Sequence, residues 1–203
     1  MLVQKIGITG TIASGKTYVS SLLKKRGFPV FNSDQYARMA THAQNPCFAP
    51  LAELLGSSVI DEQGDIDRRK MAAIIFNDEE KRLKVNEIVH PYVIAGMNHF
   101  FDSNKNRSLV FAEVPLLFEA GLETYFDKIL VITCAHDTAV SRMMNDRGYK
   151  RTDAEERYNS QLDPEIQKQK ATDVIYNDSD KNALEEEVNL WLRKIRNEGR
   201  HGN

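Results

Sequence analysis

"GTIASGKT", residues Gly10 to Thr17, follows the apolar run "VQKIGIT" and precedes a helical pattern. It fits the phosphate-binding loop G-x-x-x-x-G-K-[ST], whose glycines let backbone N–H groups turn inward around a chain of phosphates. Thr11, Ile12, Ala13, Ser14, Gly15, Lys16 and Thr17 are therefore the expected seat of a nucleotide's phosphates. Lys16 supplies a mobile cation for the β- and γ-phosphates, and the Thr17 hydroxyl completes a Mg²⁺ shell. A helix starting at about Ser14 adds the positive end of its dipole. A glycine-rich turn that merely links strand to helix accounts for Gly10 and Gly15, but it does not require Lys16 followed by Thr17.

The rest of the chain suits a soluble enzyme. With 203 residues, 41% of them hydrophobic, it can bury one sizeable core and a small inserted subdomain. A formal net charge of −2 argues against a protein dedicated to nucleic acid or to acidic lipid. Cys47 and Cys134 have neither metal-ligand spacing nor the number for a disulfide framework, and read as free thiols in a reducing cytoplasm. There is no long apolar run for a membrane span, and the first strand begins so early that a signal peptide is not expected. The expectation is a cytoplasmic monomer or small homo-oligomer.

Five short β-branched or aromatic runs read as strands: "VQKIGIT" from Val3, "FPVF" from Phe28, "SLVFAEV" from Ser108, "KILVIT" from Lys128 and "DVIY" from Asp173. Helical patterns lie between them, which predicts a five-stranded parallel α/β sheet flanked by helices, with ligands at the carboxyl ends of the strands. The stretch 36–104 contains no strand pattern and reads as helices: "PLAELLG", "RRKMAAIIF" and "DEEKRLKVNEIVHPYVIAGMNHFF". It is the expected helical substrate-binding insertion, with 1–35 and 105–203 as the nucleotide-binding core. The end "LEEEVNLWLRKIRNEGRHGN" predicts an amphipathic helix that frays after Asn197.

Such a loop serves GTPases, motor ATPases and small-molecule kinases. A guanine-reading N-K-x-D is not found, since "NKNR" at Asn104 to Arg107 lacks the aspartate and precedes the third strand. A motor ATPase would end a strand in Asp-Glu, whereas "LVFAEV" offers the single Glu113. A kinase needs a group for a hydroxyl acceptor, and Asp34 follows the second strand, whose end neighbours the phosphate loop in sheets of this type. A carboxylate there can orient the hydroxyl, take its proton or bind Mg²⁺ through water. The alternative is a helix cap in "SDQYARMA", and Ser33 capping while Asp34 does chemistry reconciles the two. Arg142, Arg147, Arg151 and Arg157 follow the fourth strand. Planar cations on a mobile segment of about 142–170 would form a lid over the transferring phosphoryl group. The competing reading is a solvated face with i,i+4 pairs such as Asp153–Arg157 and Asp146–Lys150, which suits Arg151 and Arg157 better than Arg142 and Arg147.

The sequence resembles the dephospho-CoA kinases nearly end to end. The resemblance is carried by "GITGTIASGKT", by "NSDQYAR" where the family has D-A-D-x-x-A-R, and by "IVHP" at Ile88 to Pro91. It continues through "EVPLLFEAGL" at Glu113 to Leu122, Arg142, Arg147, Gln161 and "ATDVIYND" from Ala171. It implies an adenylate-kinase-like P-loop kinase fold with a helical CoA-binding subdomain and a lid. The implied reaction transfers the ATP γ-phosphate, with Mg²⁺, to the ribose 3′-hydroxyl of dephospho-CoA. By the same resemblance Asp34 is the general base, Arg142 and Arg147 are lid contacts, Asn177 lies near adenine, and Arg38, His90 and Glu119 line the acceptor pocket. His90 reads equally as a buried histidine capping a helix break before Pro91, Glu119 as a surface carboxylate, and Leu116, Leu117 and Phe118 as core. The sequence departs from the family at Asn32, which replaces an acidic residue, and at Thr11 and Ala13, often glycine in relatives. Two rivals remain: a P-loop kinase of another small acceptor, and a regulatory module that binds ATP without transferring phosphate.

Overall fold

Short runs of three to seven residues rich in β-branched and aromatic side chains give the strands, and the computed structural model describes residues 3–201, with side chains described for 3–198. The strands are β1 (Gln4–Gly10), β2 (Val30–Asn32), β3 (Leu109–Glu113), β4 (Lys128–Thr133) and β5 (Asp173–Tyr176). The helices are α1 (Lys16–Lys25), α2 (Ser33–Met39), α3 (Phe48–Leu55), α4 (Arg68–Asn77), α5 (Glu79–Ser103), α6 (His136–Arg147), α7 (Arg151–Asn159), α8 (Pro164–Lys170) and α9 (Lys181–His201). The chain divides into two compact units, Met1–Phe31 with Asn104–Asn203, and Asn32–Ser103.

In the first unit the strands run β2-β3-β1-β4-β5, with parallel ladders between β1 and β3, β1 and β4, and β4 and β5. The chain leaves central β1 toward one edge and later returns to its other side, so the loop after β1 lies at the switch in strand order, where open α/β sheets hold their ligands. Fully buried Ile6 and Ile8 of β1 share one core with Val19 and Leu23 of α1 and with Leu184, Val188, Trp191, Leu192 and Ile195 of α9. Those α9 positions repeat at helical spacing, which gives one apolar stripe. On the opposite face of β1 the neighbours come so close that a β-carbon at Gly7 would stand 2.7 Å from Leu117 Cδ1.

The second unit is helical. Its core gathers Leu51 and Leu55 of α3 and Val85 of α5 around Ala40, Val59 and Ile66. A β-carbon at Gly96 would lie 2.3 Å from the Tyr36 ring, so glycine is what lets α5 approach α2. Tyr36 itself stacks on Tyr92 at 4.8 Å.

Several expectations are corrected. Helix α1 begins at Lys16, after Gly15 in the left-handed region (φ 99°), and not at Ser14. Helix α9 continues to His201 instead of fraying after Asn197, and its Glu198 pairs with Lys128 of β4 at 2.6 Å, which pins that turn. Residues 202–203 lie outside those described. Helix α5 runs unbroken through Pro91, at the cost of one backbone hydrogen bond, so His90 caps no break; it is exposed, not buried. Leu117 and Phe118 are core, but Leu116 is 51% exposed.

Candidate active site

The phosphate loop is built from β1 into α1, and protein atoms dictate its glycines. A β-carbon at Gly10 would lie 1.8 Å from the Ile132 carbonyl oxygen of β4, and one at Gly15 would lie 2.5 Å from Asn177 Nδ2. Both residues also have positive φ. Between them, Ala13 sits at φ 57°, a left-handed conformation uncommon outside glycine.

Three distant side chains hold this loop. Gln161 Oε1 accepts from the Ile12 N–H at 2.6 Å. Arg142 donates to the Ala13 carbonyl at 3.3 Å and to the Asn177 carbonyl at 2.9 Å. Asn177 Nδ2 donates to the Ser14 carbonyl at 2.8 Å. The Ser14 N–H closes a turn onto the Thr11 carbonyl at 3.2 Å. Asn177 and Arg142 therefore act on the loop itself, as braces behind its phosphate-facing amides.

Lys16 is buried, and its ammonium donates to the carbonyls of Gly10 (2.8 Å) and Thr11 (2.7 Å). The first amides of α1 have no partner inside that helix, so the N-terminus presents donors and a positive dipole end together. The Thr17 hydroxyl donates to Glu113 Oε1 at 2.8 Å, and Glu113, at the end of β3, is 3% exposed. Glu113 is a site residue that the sequence reading passed over while testing for a motor ATPase; a lone acid closing a buried strand beside β1 was the signal. Two hard oxygen ligands suit Mg²⁺, which takes most of its shell from phosphate and water. No cluster of three or more His, Cys, Asp or Glu placed to hold a metal occurs among the described residues.

The remaining arginines serve different ends. Arg147 lies exposed in the last turn of α6, before Gly148 at φ 69°. Arg151 pairs with Glu155 at 2.8 Å, an i,i+4 contact, while Arg157 lies 4.7 Å from the centre of the Tyr149 ring. Glu119 accepts from the Leu162 N–H at 3.1 Å, which ties it to the segment after α7.

In the helical unit, Asn32 caps α2, its Oδ1 accepting from the Gln35 N–H at 2.7 Å. The expected cap at Ser33 or Asp34 is thereby corrected: with β2 ending at Asn32, the helix starts one residue earlier. Asp34 occupies the first turn of α2 and is exposed. It lines a cavity of about 250 Å³ with Arg38, Arg68 and the apolar side chains of Leu51, Met71, Val85 and Val89. Arg68, the first residue of α4, is the second residue that sequence reasoning missed: nothing in "RRKMAAIIF" sets it apart, and its place becomes apparent only with the cavity. His90 is not among the residues lining this cavity.

A family model described as dephospho-CoA kinase matches residues 4–183. A dephospho-CoA kinase of Bacillus cereus is 34% identical over 191 residues, 93% of this chain and 96% of the relative. A protein of solved structure from Thermus thermophilus is 31% identical with a TM-score of 0.82, covering 96% of this chain and 99% of that one. The dephospho-CoA kinase of Campylobacter jejuni, 23% identical, has the same fold with a TM-score of 0.72, covering 94% and 96%. With the phosphate loop, the Thr17–Glu113 pair and these likenesses together, the chain belongs to the dephospho-CoA kinase family.

Proposed function

We propose that the chain acts as an ATP-dependent dephospho-CoA kinase, the activity of its family, with the following division of labour. The observation that carries the acceptor assignment is the cavity of the helical unit, where two guanidinium groups and one carboxylate stand over an apolar floor. Dephospho-CoA presents matching chemistry: a diphosphate, a ribose with free hydroxyls and a long weakly polar arm. Arg38 and Arg68 bind the anionic part, the aliphatic floor takes the arm, and Asp34 orients the 3′-hydroxyl. His90 and Glu119 are kept as outer contributors, Glu119 through its hold on Leu162.

On the donor side, Lys16 exchanges its loop carbonyls for the β- and γ-phosphate oxygens, which are stronger acceptors because they are charged. The amides of residues 11–17 cradle the phosphate chain, braced by Arg142, Gln161 and Asn177. Asn177 keeps its proposed place near adenine. Thr17 and Glu113 would hold Mg²⁺, which supplies charge neutralisation on the phosphates. In the transfer, the 3′-oxygen forms a bond to the γ-phosphorus as the bond to the ADP oxygen breaks, and the hydroxyl proton passes to the Asp34 carboxylate. Arg147, on a lid of about 142–170, meets the charge on the moving phosphoryl oxygens.

No helix among the described residues is long and apolar enough to cross a membrane. A cytoplasmic monomer or small homo-oligomer, without nucleic-acid or membrane partners, completes the proposal. The test is ATP turnover in the presence of dephospho-CoA, shikimate, gluconate or a nucleoside monophosphate. Stimulation by dephospho-CoA, with coenzyme A as the product, is expected; stimulation by another acceptor, or ATP binding without acceptor-dependent turnover, overturns the assignment.

A further inference from the structure

Gln161 stands 149 residues from Ile12 in sequence, yet its side-chain oxygen takes the Ile12 N–H at 2.6 Å. The donor is a backbone N–H, so the amide oxygen must face the loop. Ile12 immediately precedes Ala13, the one non-glycine residue with positive φ among those described. A left-handed alanine costs free energy and persists only where its surroundings hold it. Gln161 holds the Thr11–Ile12 peptide on one side of it, and Arg142 holds the Ala13 carbonyl on the other.

The other end of Gln161 is equally fixed. It follows directly on α7 and its cap Ser160. The neighbouring Leu162 N–H donates to Glu119 at 3.1 Å, and the Leu162 carbonyl accepts from Gln167 at 3.0 Å, Gln167 being 1% exposed. Upstream, α7 begins beyond Gly148, whose left-handed backbone ends α6. Ile12 and Ala13 also pack on the small core of Val140 and Met143 from α6 and Ala154 from α7. Helix α7 is thus bounded by a glycine at one end and by a residue gripping the phosphate loop at the other.

We infer that Gln161 is a positioning residue that fixes the Thr11–Ile12 peptide, and with it the approach to the left-handed Ala13, and couples the placement of α7 to the phosphates held in the loop. It touches neither reactant and acts through the loop. The inference rests on the ATP-binding part of the function proposed above.

Gln161→Met keeps length and removes the acceptor. The expected result is at least tenfold faster hydrogen exchange at the Ile12 amide, with ATP affinity weakened about five- to tenfold, the equivalent of one hydrogen bond. The rate at saturation falls, while the KM for dephospho-CoA stays within about twofold. Gln161→Glu, which retains an acceptor oxygen, keeps Ile12 protected. In an Ala13→Gly chain, where the left-handed conformation carries no penalty, Gln161→Met weakens ATP by less than about twofold. Unchanged Ile12 exchange and ATP affinity overturn the inference. So does an equal loss in the Ala13→Gly chain, or a loss spread over both substrates with a lowered melting temperature. Exchange and ATP binding are read without acceptor, so a chain inactive toward dephospho-CoA would sink the kinase reading and leave this one to be judged on its own data.

Discussion

The Thr17 hydroxyl, on the exposed side of the first turn of α1, and the buried Glu113 carboxylate at the end of β3 meet at 2.8 Å across 96 residues of sequence. Glu113→Gln preserves an acceptor for Thr17 and removes the charge. The Mg²⁺ concentration for half-maximal rate should rise about tenfold or more, while the melting temperature without nucleotide stays near that of the parent. An unchanged Mg²⁺ titration would remove Glu113 from the metal shell.

Lys16→Ala deletes the cation nearest the phosphates. Turnover is expected to fall by about three orders of magnitude, because charge stabilisation dominates phosphoryl transfer. The variant also leaves the Gly10 and Thr11 carbonyls without the ammonium donor they share. Steady-state assay beside a thermal melt separates the two effects: loss of stability without loss of turnover would move the phosphate site elsewhere.

Asp34→Asn should lower kcat by roughly 10²- to 10⁴-fold, the range of general acid–base catalysis, with the low end expected for a loose transition state. Because Asn32 supplies the cap of α2, the substitution leaves that helix end intact. ATP affinity and melting temperature should therefore match the parent chain. A fully active Asp34→Asn enzyme excludes the catalytic role.

Arg68 and Arg147 should separate in the kinetics. Arg68→Ala, in the cavity of the helical unit, is expected to raise the KM for dephospho-CoA about tenfold or more and to change kcat little. Arg147→Lys keeps charge and loses the planar fork, so kcat should fall with acceptor KM nearly constant. The reverse pattern would exchange their assignments.

The helical unit should be sensitive to acid. The Asp65 carboxyl is held below its ordinary pKa by hydrogen bonds from His42 and the Ala43 amide, and Asp67 by the amides of Arg69 and Lys70 at the start of α4. A depressed folded-state pKa stabilises fully above the unfolded value, about 3.9, and that contribution fades as pH falls through the lower folded values. Melting temperature should hold level from pH 7 to about 5 and drop below about 4. Asp67→Asn keeps an acceptor for the amides and should flatten that drop; circular dichroism melts across the range are the check.

The strands were legible because each is a run of Val, Ile or Phe with glycine or polar residues at its ends, and β4 and β5 fall on the expected residues. The loop was legible because its donors are adjacent in sequence. Its braces were not: Arg142, Gln161 and Asn177 act on peptide groups 129 to 163 residues away, and no local pattern announces which arginine or amide reaches back. Glu113 and Arg68 were hidden for the same reason, since each acquires its meaning from a partner or cavity assembled by the fold. Leu116 misled because three apolar residues in a row cannot all turn inward from a loop; Leu117 and Phe118 do, and Leu116 is left facing solvent.

The bracing of the loop by late residues sets the order in which the working site can arise on the ribosome. Gly10 to Thr17 are made long before their partners: β1 lacks its ladder neighbours until residues 109–133 are made, and the braces end with Asn177. At ordinary elongation rates that interval is about ten to thirty seconds. A nascent chain released short of Asn177 would carry the whole phosphate-binding signature and lack the strut that holds Ser14, so nucleotide capture waits for the strand that brings Asn177.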